Sequence, residues 1–170
     1  MPDLFKSSLS RQPRTRGFTL VEIMVVVVII GLLAAMGMPT YRHITMRAKT
    51  TAVENDLKTF STAFITYSLQ NGKWPADEVA HVIPTVMAGA LPPGFEIKSP
   101  IGGYYKWCFD SNPGGVVAKA ALMIEDDPSA PLSDDQDLRM MIDKQMDDGN
   151  LTTGNIQVGF GNSLVFILEK

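Results

Sequence analysis

The hydrophobic positions of this chain divide it into three parts, of which the first is a continuous apolar run. The run extends from Phe18 to Met38, which is 21 residues, and Glu22 is its only charged residue. A helix rises about 1.5 Å per residue and needs roughly 20 apolar residues to cross a bilayer core. The run therefore predicts one membrane-spanning helix.

The second part is an amphipathic segment. Its apolar side chains recur at spacings of four and three residues, which is the period of one helix face: Val53, Leu57, Phe60, Phe64 and Tyr67. Asn71-Gly72 supplies a helix stop, and Pro75 disfavours resumption. We expect the membrane helix to continue over residues 39–71, with this face packed on a globular domain.

The third part, residues 72–170, alternates short apolar segments with turn residues. It predicts a short helix around 77–90 and strands over 95–98, 104–109, 116–124, 157–160 and 164–168. Ser133 and Gln136 form a capping-box pattern that opens a helix through about Met146. The predicted fold class is α+β, with a long N-terminal helix packed on a small antiparallel β-sheet.

Charge predicts the orientation of the chain in the membrane. Residues 1–17 carry four basic residues against one acidic residue, Asp3, a balance of +3. A basic flank stays cytoplasmic, so the C-terminal part lies on the far side. A secretory signal cut before Met38, after Ala35-Met36-Gly37, is the alternative.

Glu22 is the residue that most needs an explanation, because a carboxylate inside a membrane segment is costly and usually functional. If the chain is cut between Gly17 and Phe18, the new α-amine of Phe18 supplies a cation. Glu22 of a neighbouring chain would then be the acid at comparable depth. Such a pair would set how one subunit registers against the next.

The segment from Gly17 to Met36, beginning Gly-Phe-Thr-Leu-Val-Glu, strongly resembles the class III signal of type IV pilins and pseudopilins. The resemblance covers residues 11 to about 70. It implies cleavage after Gly17, N-methylation of Phe18, and an assembly contact at Glu22. It also places the family's helix-disturbing proline at Pro39, where the helix either simply kinks or unwinds locally during filament packing.

The resemblance implies four segments: a leader over 1–17, a transmembrane and assembly helix over 18–38, its amphipathic half over 39–71, and a periplasmic α+β domain over 72–170. It implies a bacterial inner-membrane protein that later joins a periplasmic filament. The implied partners are a prepilin peptidase and methyltransferase, identical or related subunits, and an inner-membrane assembly platform.

Composition disfavours other functions. Without the leader the chain keeps 11 of its 15 basic and 17 of its 18 acidic residues, a balance of −6, so a nucleic-acid-binding face is not expected. His43 and His81 are far apart, and we find no catalytic, nucleotide or zinc motif. We predict no enzyme activity and no cofactor.

Two features leave alternatives open. Some pseudopilins bind calcium in a C-terminal loop, but the acidic residues here match no defined loop, so we predict a solvated acidic surface and no metal site: Asp126, Asp127, Asp134, Asp135, Asp137, Asp147 and Asp148. Cys108, the only cysteine, is interpreted as a small buried thiol, with an intermolecular disulfide as the alternative.

Three functions remain. The small domain without a disulfide loop favours a pseudopilin of a type II secretion system. A type IV pilin, major or minor, that serves adhesion, motility or DNA uptake is the first alternative. A membrane-anchored or secreted binding domain is the second.

Overall fold

The computed structural model describes residues 17–170, and its first element is a long helix. Helix α1 spans Leu20–Asn71, 52 residues. The chain divides after Tyr41 into two units, which are described separately. The predicted continuation of the apolar run into an amphipathic helix is confirmed, and Pro39 lies inside α1.

In the first unit, none of the described residues covers the apolar part of α1. Every described residue from Gly17 to Tyr41 is exposed. In the described part of the chain, α1 is the one helix long and apolar enough to cross a membrane. So much exposed apolar surface is unfavourable in water, so this segment requires lipid or other protein chains around it.

The second unit, Arg42–Lys170, contains a four-stranded antiparallel sheet. Its strands, in chain order, are β1 Tyr104–Phe109, β2 Ala120–Glu125, β3 Ile156–Val158 and β4 Leu164–Glu169. They lie in the order β1-β2-β4-β3. The predicted α+β class is confirmed.

The amphipathic half of α1 packs on this sheet through the predicted face. Val53, Leu57, Phe60 and Phe64 are all at most 1% exposed. The ring of Phe64 stacks on that of Trp107 from β1, with centroids 3.9 Å apart. Burying each such side chain contributes about 1.5–3 kcal/mol.

Helix α2 spans Gln136–Met146, as predicted, but its N-cap differs from the prediction. The prediction that Ser133 forms a capping box is wrong, because Asp135 is the N-cap residue. Its Oδ1 accepts hydrogen bonds from the backbone N–H groups of Asp137 and Leu138, at 3.1 and 3.3 Å. The Ser133 hydroxyl instead accepts from the Asp135 N–H.

Two predicted elements are wrong. Residues 95–98 form no strand, because Pro93–Phe95 is a 3₁₀ turn that buries the Phe95 ring in the core. Only Lys98 pairs with β1, as an isolated bridge to Tyr104. The helix around 77–90 is reduced to one 3₁₀ turn, Thr85–Met87, between Pro84 and a left-handed Gly89.

The other strand boundaries shift for similar reasons. β2 begins at Ala120 and not at Val116, because a 3₁₀ turn over Pro113–Gly115 precedes it. β3 ends at Val158, and Phe160–Asn162 forms another 3₁₀ turn. Residues 164–168 are strand as predicted, within β4.

Candidate processing and assembly site

Gly17 and Phe18 lie in an irregular segment directly before α1. Neither belongs to regular secondary structure, and Phe18 is 84% exposed. Among the described residues beyond its chain neighbours, no atom lies within 4 Å of the position that a Cβ of Gly17 would take. Both residues that flank this peptide bond are therefore exposed in the described part of the chain.

Thr19 and Glu22 form a reciprocal capping box at the start of α1. The Glu22 Oε2 atom accepts hydrogen bonds from the Thr19 backbone N–H and from its hydroxyl, both at 2.8 Å. The Glu22 N–H donates to the Thr19 hydroxyl at 3.2 Å. Sequence reasoning missed this role, although Thr-x-x-Glu before an apolar run is its sequence signature.

The capping box is compatible with a cut after Gly17. Thr19 keeps its amide N–H after such a cut, because Phe18 still precedes it. The hydrogen bonds with Thr19 use only Oε2 of Glu22, so Oε1 is not engaged in them. Glu22 can therefore cap its own helix and still offer an oxygen to a cation on another chain.

Pro39 and the two glycines before it lie in the exposed part of α1. Beyond the helix's own backbone, no atom of the described residues lies within 4 Å of a Cβ built at Gly31 or at Gly37. The local unwinding expected at Pro39 stays a prediction.

Just beyond this segment, in the second unit, Arg42 pairs with the N-cap of α2. Its Nη2 lies 3.0 Å from Asp135 Oδ2. The hydrogen bond from Arg42 and those from the amides of Leu138 and Asp137 lower the pKa of Asp135. His43 and Arg47 are exposed near Lys144 of α2 and line a shallow depression with it.

Cys108 is buried, as the thiol interpretation predicts. It is 3% exposed and belongs to a small apolar cluster with side chains of β2 and β4. Burial, followed by the negative charge of Asp77, raises the pKa of its thiol to about 12. At that pKa the thiol is unreactive at neutral pH.

The acidic residues are not all solvated. Asp143 of α2 is completely buried, and among residues 17–170 neither of its carboxylate oxygens has a hydrogen-bond partner. Oxygens of Asp143, Asp147 and Asp148 lie within 4.8 Å of one another. Burial, with the charges of Asp148 and Asp147, raises the pKa of Asp143. Sequence reasoning missed Asp143, because its surroundings come from packing.

A comparison with known families matches residues 12–38 to the prokaryotic N-terminal methylation motif. The chain is 35% identical to the type IV major pilin protein PilE1 of Neisseria gonorrhoeae. That match extends over 91 residues, which are 54% of this chain and 49% of the relative. The chain is also 44% identical to the type II secretion system core protein G of Pseudomonas aeruginosa. That match extends over 62 residues, which are 36% of this chain and 44% of the relative.

A third relative is the fimbrial protein EcpC of Eikenella corrodens, 36% identical over 74 residues, 44% of this chain and 48% of the relative. The chain thus spans about half the length of the curated relatives it matches. The matched motif, these relatives and the helix packed on a small antiparallel sheet relate the chain to type IV pilins and pseudopilins.

Proposed function

We propose that this chain is a pseudopilin, a structural subunit of a type II secretion system filament, without enzymatic activity. The observation that carries the proposal is the exposed Gly17–Phe18 bond directly ahead of a capped, uncovered apolar helix. Such a junction suits one proteolytic cut that releases an assembly helix. The 44% identity to the secretion protein, and a sequence without a second cysteine, favour this apparatus.

In this proposal a prepilin peptidase cuts after Gly17 and the amine of Phe18 is methylated. Residues 18–38 span the inner membrane with the N-terminus in the cytoplasm. Residues 39–71 carry the domain of residues 72–170 into the periplasm. On assembly, the apolar helices of related subunits replace the lipid around α1, and Glu22 of one chain pairs with the Phe18 amine of another.

The second candidate is a type IV pilin. It is favoured by the relatives PilE1 and EcpC, whose matches extend over more of this chain than that of the secretion protein. Both candidates require the same processing and the same assembly helix. They differ in what is lost when the chain is deleted, either secretion of folded proteins or a surface filament.

The first experiment is intact-mass analysis and N-terminal sequencing of the mature protein from its native membrane. We expect an N-methylated Phe18 as the first residue. A start at Met38 would establish a released periplasmic domain, and an uncut Met1 a plain anchor, and each would end the filament proposal. Deletion of the chain should then abolish exoprotein secretion and leave surface filaments intact, and the reverse phenotype would select the pilin candidate.

A further inference from the structure

The shallow depression between α1 and α2 is lined by basic and neutral side chains of the second unit. Its volume is about 400 Å³, which lies within the range of small-molecule sites. The lining residues are His43, Arg47 and Thr51 of α1 with Met141, Lys144 and Gln145 of α2. None of the six is acidic. The depression therefore offers positive charge to an anion.

The two cations of this depression differ from most other basic side chains of the second unit. A carboxylate oxygen lies within 4.0 Å of each of five others: Arg42, Lys58, Lys106, Lys119 and Arg139. Among residues 17–170, neither Arg47 nor Lys144 has such a partner. Like charges that line one depression repel each other unless an anion lies between them.

Each cation is held by a regular element. Arg47 follows His43 by four residues on α1, so the two side chains share one helix face. Lys144 lies in the last turn of α2. Its stem packs beside Gly149, where an added Cβ would lie 2.9 Å from the Lys144 Cγ. Lys144 is nevertheless exposed, so its ammonium group stays accessible while its stem is packed.

The depression follows the apolar run closely in sequence. His43 and Arg47 come five and nine residues after Met38, where the run ends. Five and nine helical residues rise about 8 and 14 Å, and the headgroup layer on each side of a bilayer is about 5–8 Å thick. Long basic side chains extend over several ångströms towards such headgroups. Lipid phosphates are therefore within their reach.

Basic residues at this place need an explanation. Lysine and arginine near a membrane span normally accumulate on the cytoplasmic side. Arg42, Arg47 and Lys49 nevertheless follow the run within eleven residues, on the side predicted to be exported. Arg42 has its own partner, Asp135. An anion outside the chain would account for Arg47.

We propose that this depression binds the phosphate of an anionic phospholipid in the leaflet that faces the periplasm. Arg47 presents a planar fork that suits two phosphate oxygens, and Lys144 adds a point charge. Thr51 supplies a further polar group, and the half-buried Met141 supplies an apolar wall. The proposal rests on the membrane position of α1 in the proposed function, but not on the kind of filament.

The acidic surface of a second copy of the chain is the competing source of negative charge. The lipid is favoured because it surrounds the chain before any assembly and because its phosphates lie close to the end of the apolar run. A bound headgroup would fix the depth of the chain in the bilayer. It would have to be released when the chain leaves the membrane for a filament.

The test uses the full chain in a nonionic detergent, titrated by calorimetry with short-chain phosphatidylglycerol. We expect binding at least about tenfold tighter than that of phosphatidylcholine with the same acyl chains, which has no net charge, and than that of inorganic phosphate. Equal binding of phosphatidylcholine would overturn the requirement for an anionic headgroup. Equal binding of inorganic phosphate would overturn the assignment to a lipid.

A double variant locates the binding. Arg47→Gln combined with Lys144→Gln should weaken phosphatidylglycerol binding at least tenfold. The matched control, Lys73→Gln combined with Lys98→Gln, removes the same charge outside the depression and should bind as the unaltered chain does. All four residues are exposed, so both variants should fold, and their melting temperatures check this. Equal binding by the two variants would overturn the proposal.

Filament assembly of the same variants tests the competing source of charge. If the variant at 47 and 144 keeps its lipid binding and fails to assemble, the depression binds a second copy, and the lipid proposal is overturned. This failure is distinguishable from failure of the proposed function. The N-terminus of the mature protein and the deletion phenotype are measured on the unaltered chain, without reference to lipid binding.

Discussion

At the scale of single residues, Glu22 has one role that the structure shows and a second that we propose. It caps its own helix through Thr19, and in the proposed filament it pairs with the amine of another chain. The first role needs a hydrogen-bond acceptor, whereas the second needs a negative charge. Substitutions can distinguish the two roles, because an amide keeps the acceptor and loses the charge.

We predict that Glu22→Gln leaves leader processing and membrane insertion intact and reduces filament assembly at least tenfold. The matched variant Thr19→Ala removes the capping hydroxyl and keeps the charge, so it should still assemble. Its helix start should be weakened by about 0.5–2 kcal/mol. Sheared filaments quantified by immunoblot provide the measurement, and normal assembly of Glu22→Gln would refute the charge-pairing role.

At the scale of elements, α2 shows which parts of a pattern a sequence determines. Its length and its apolar face follow from the spacing of Leu138 and Ile142, both of which are buried. The capping-box pattern predicts Ser133 as its N-cap, yet Asp135 occupies that position. Several neighbouring acceptors were available, and the ion pair with Arg42, 93 residues away, favours the aspartate.

We predict that Asp135→Ala lowers the free energy of unfolding by about 0.5–2 kcal/mol, because the cap is lost. Asp135→Asn should retain most of that stability, since Asn caps as well and the partly exposed pair with Arg42 contributes little. Asp137→Ala is the control outside the cap. Denaturant unfolding followed by circular dichroism measures the difference.

The effect of Asp135 should depend on pH in a defined direction. Its folded-state pKa is lowered, so its contribution is complete above the unfolded value of about 3.9. The contribution is lost as the pH falls through the folded pKa. The stability difference between the unaltered chain and Asp135→Ala should therefore be constant from pH 5 to 7 and shrink below about pH 4. A difference that grows in acid would contradict this assignment.

At the scale of the whole molecule, the two units differ in the exposure of their apolar side chains. The described residues of the first leave their apolar side chains exposed, whereas the second has a core that joins α1 to β1 and β2. The second unit begins at Arg42 and includes the buried face of α1. It should therefore fold without the membrane segment.

We predict that residues 42–170, produced alone, form a soluble domain that unfolds cooperatively. Phe64→Ala should destabilise it by about 3–5 kcal/mol, because the ring stacked on Trp107 is lost and a cavity remains. Ile65→Ala, at an exposed neighbouring position, should change stability by at most about 0.5 kcal/mol. A fragment that lacks a cooperative transition would contradict the independence of this unit.

The sequence by itself determined what depends on local pattern and bulk hydrophobicity. A 21-residue apolar run predicts a membrane segment, and the spacing of four and three residues up to Phe64 predicts that it continues into an amphipathic helix. The Gly-Phe-Thr-Leu-Val-Glu motif likewise predicted the resemblance to pilins and pseudopilins, since the motif is a short contiguous segment. These features require no knowledge of distant contacts.

Only the tertiary structure decided the features that depend on residues distant in sequence. The 3₁₀ turn at Phe95 forms because its ring packs on Phe60 and Phe64 of α1. The burial of Asp143 depends on the packing of α2 against the rest of the domain. Local propensities are weak compared with the burial of an aromatic ring, so the core selected these conformations.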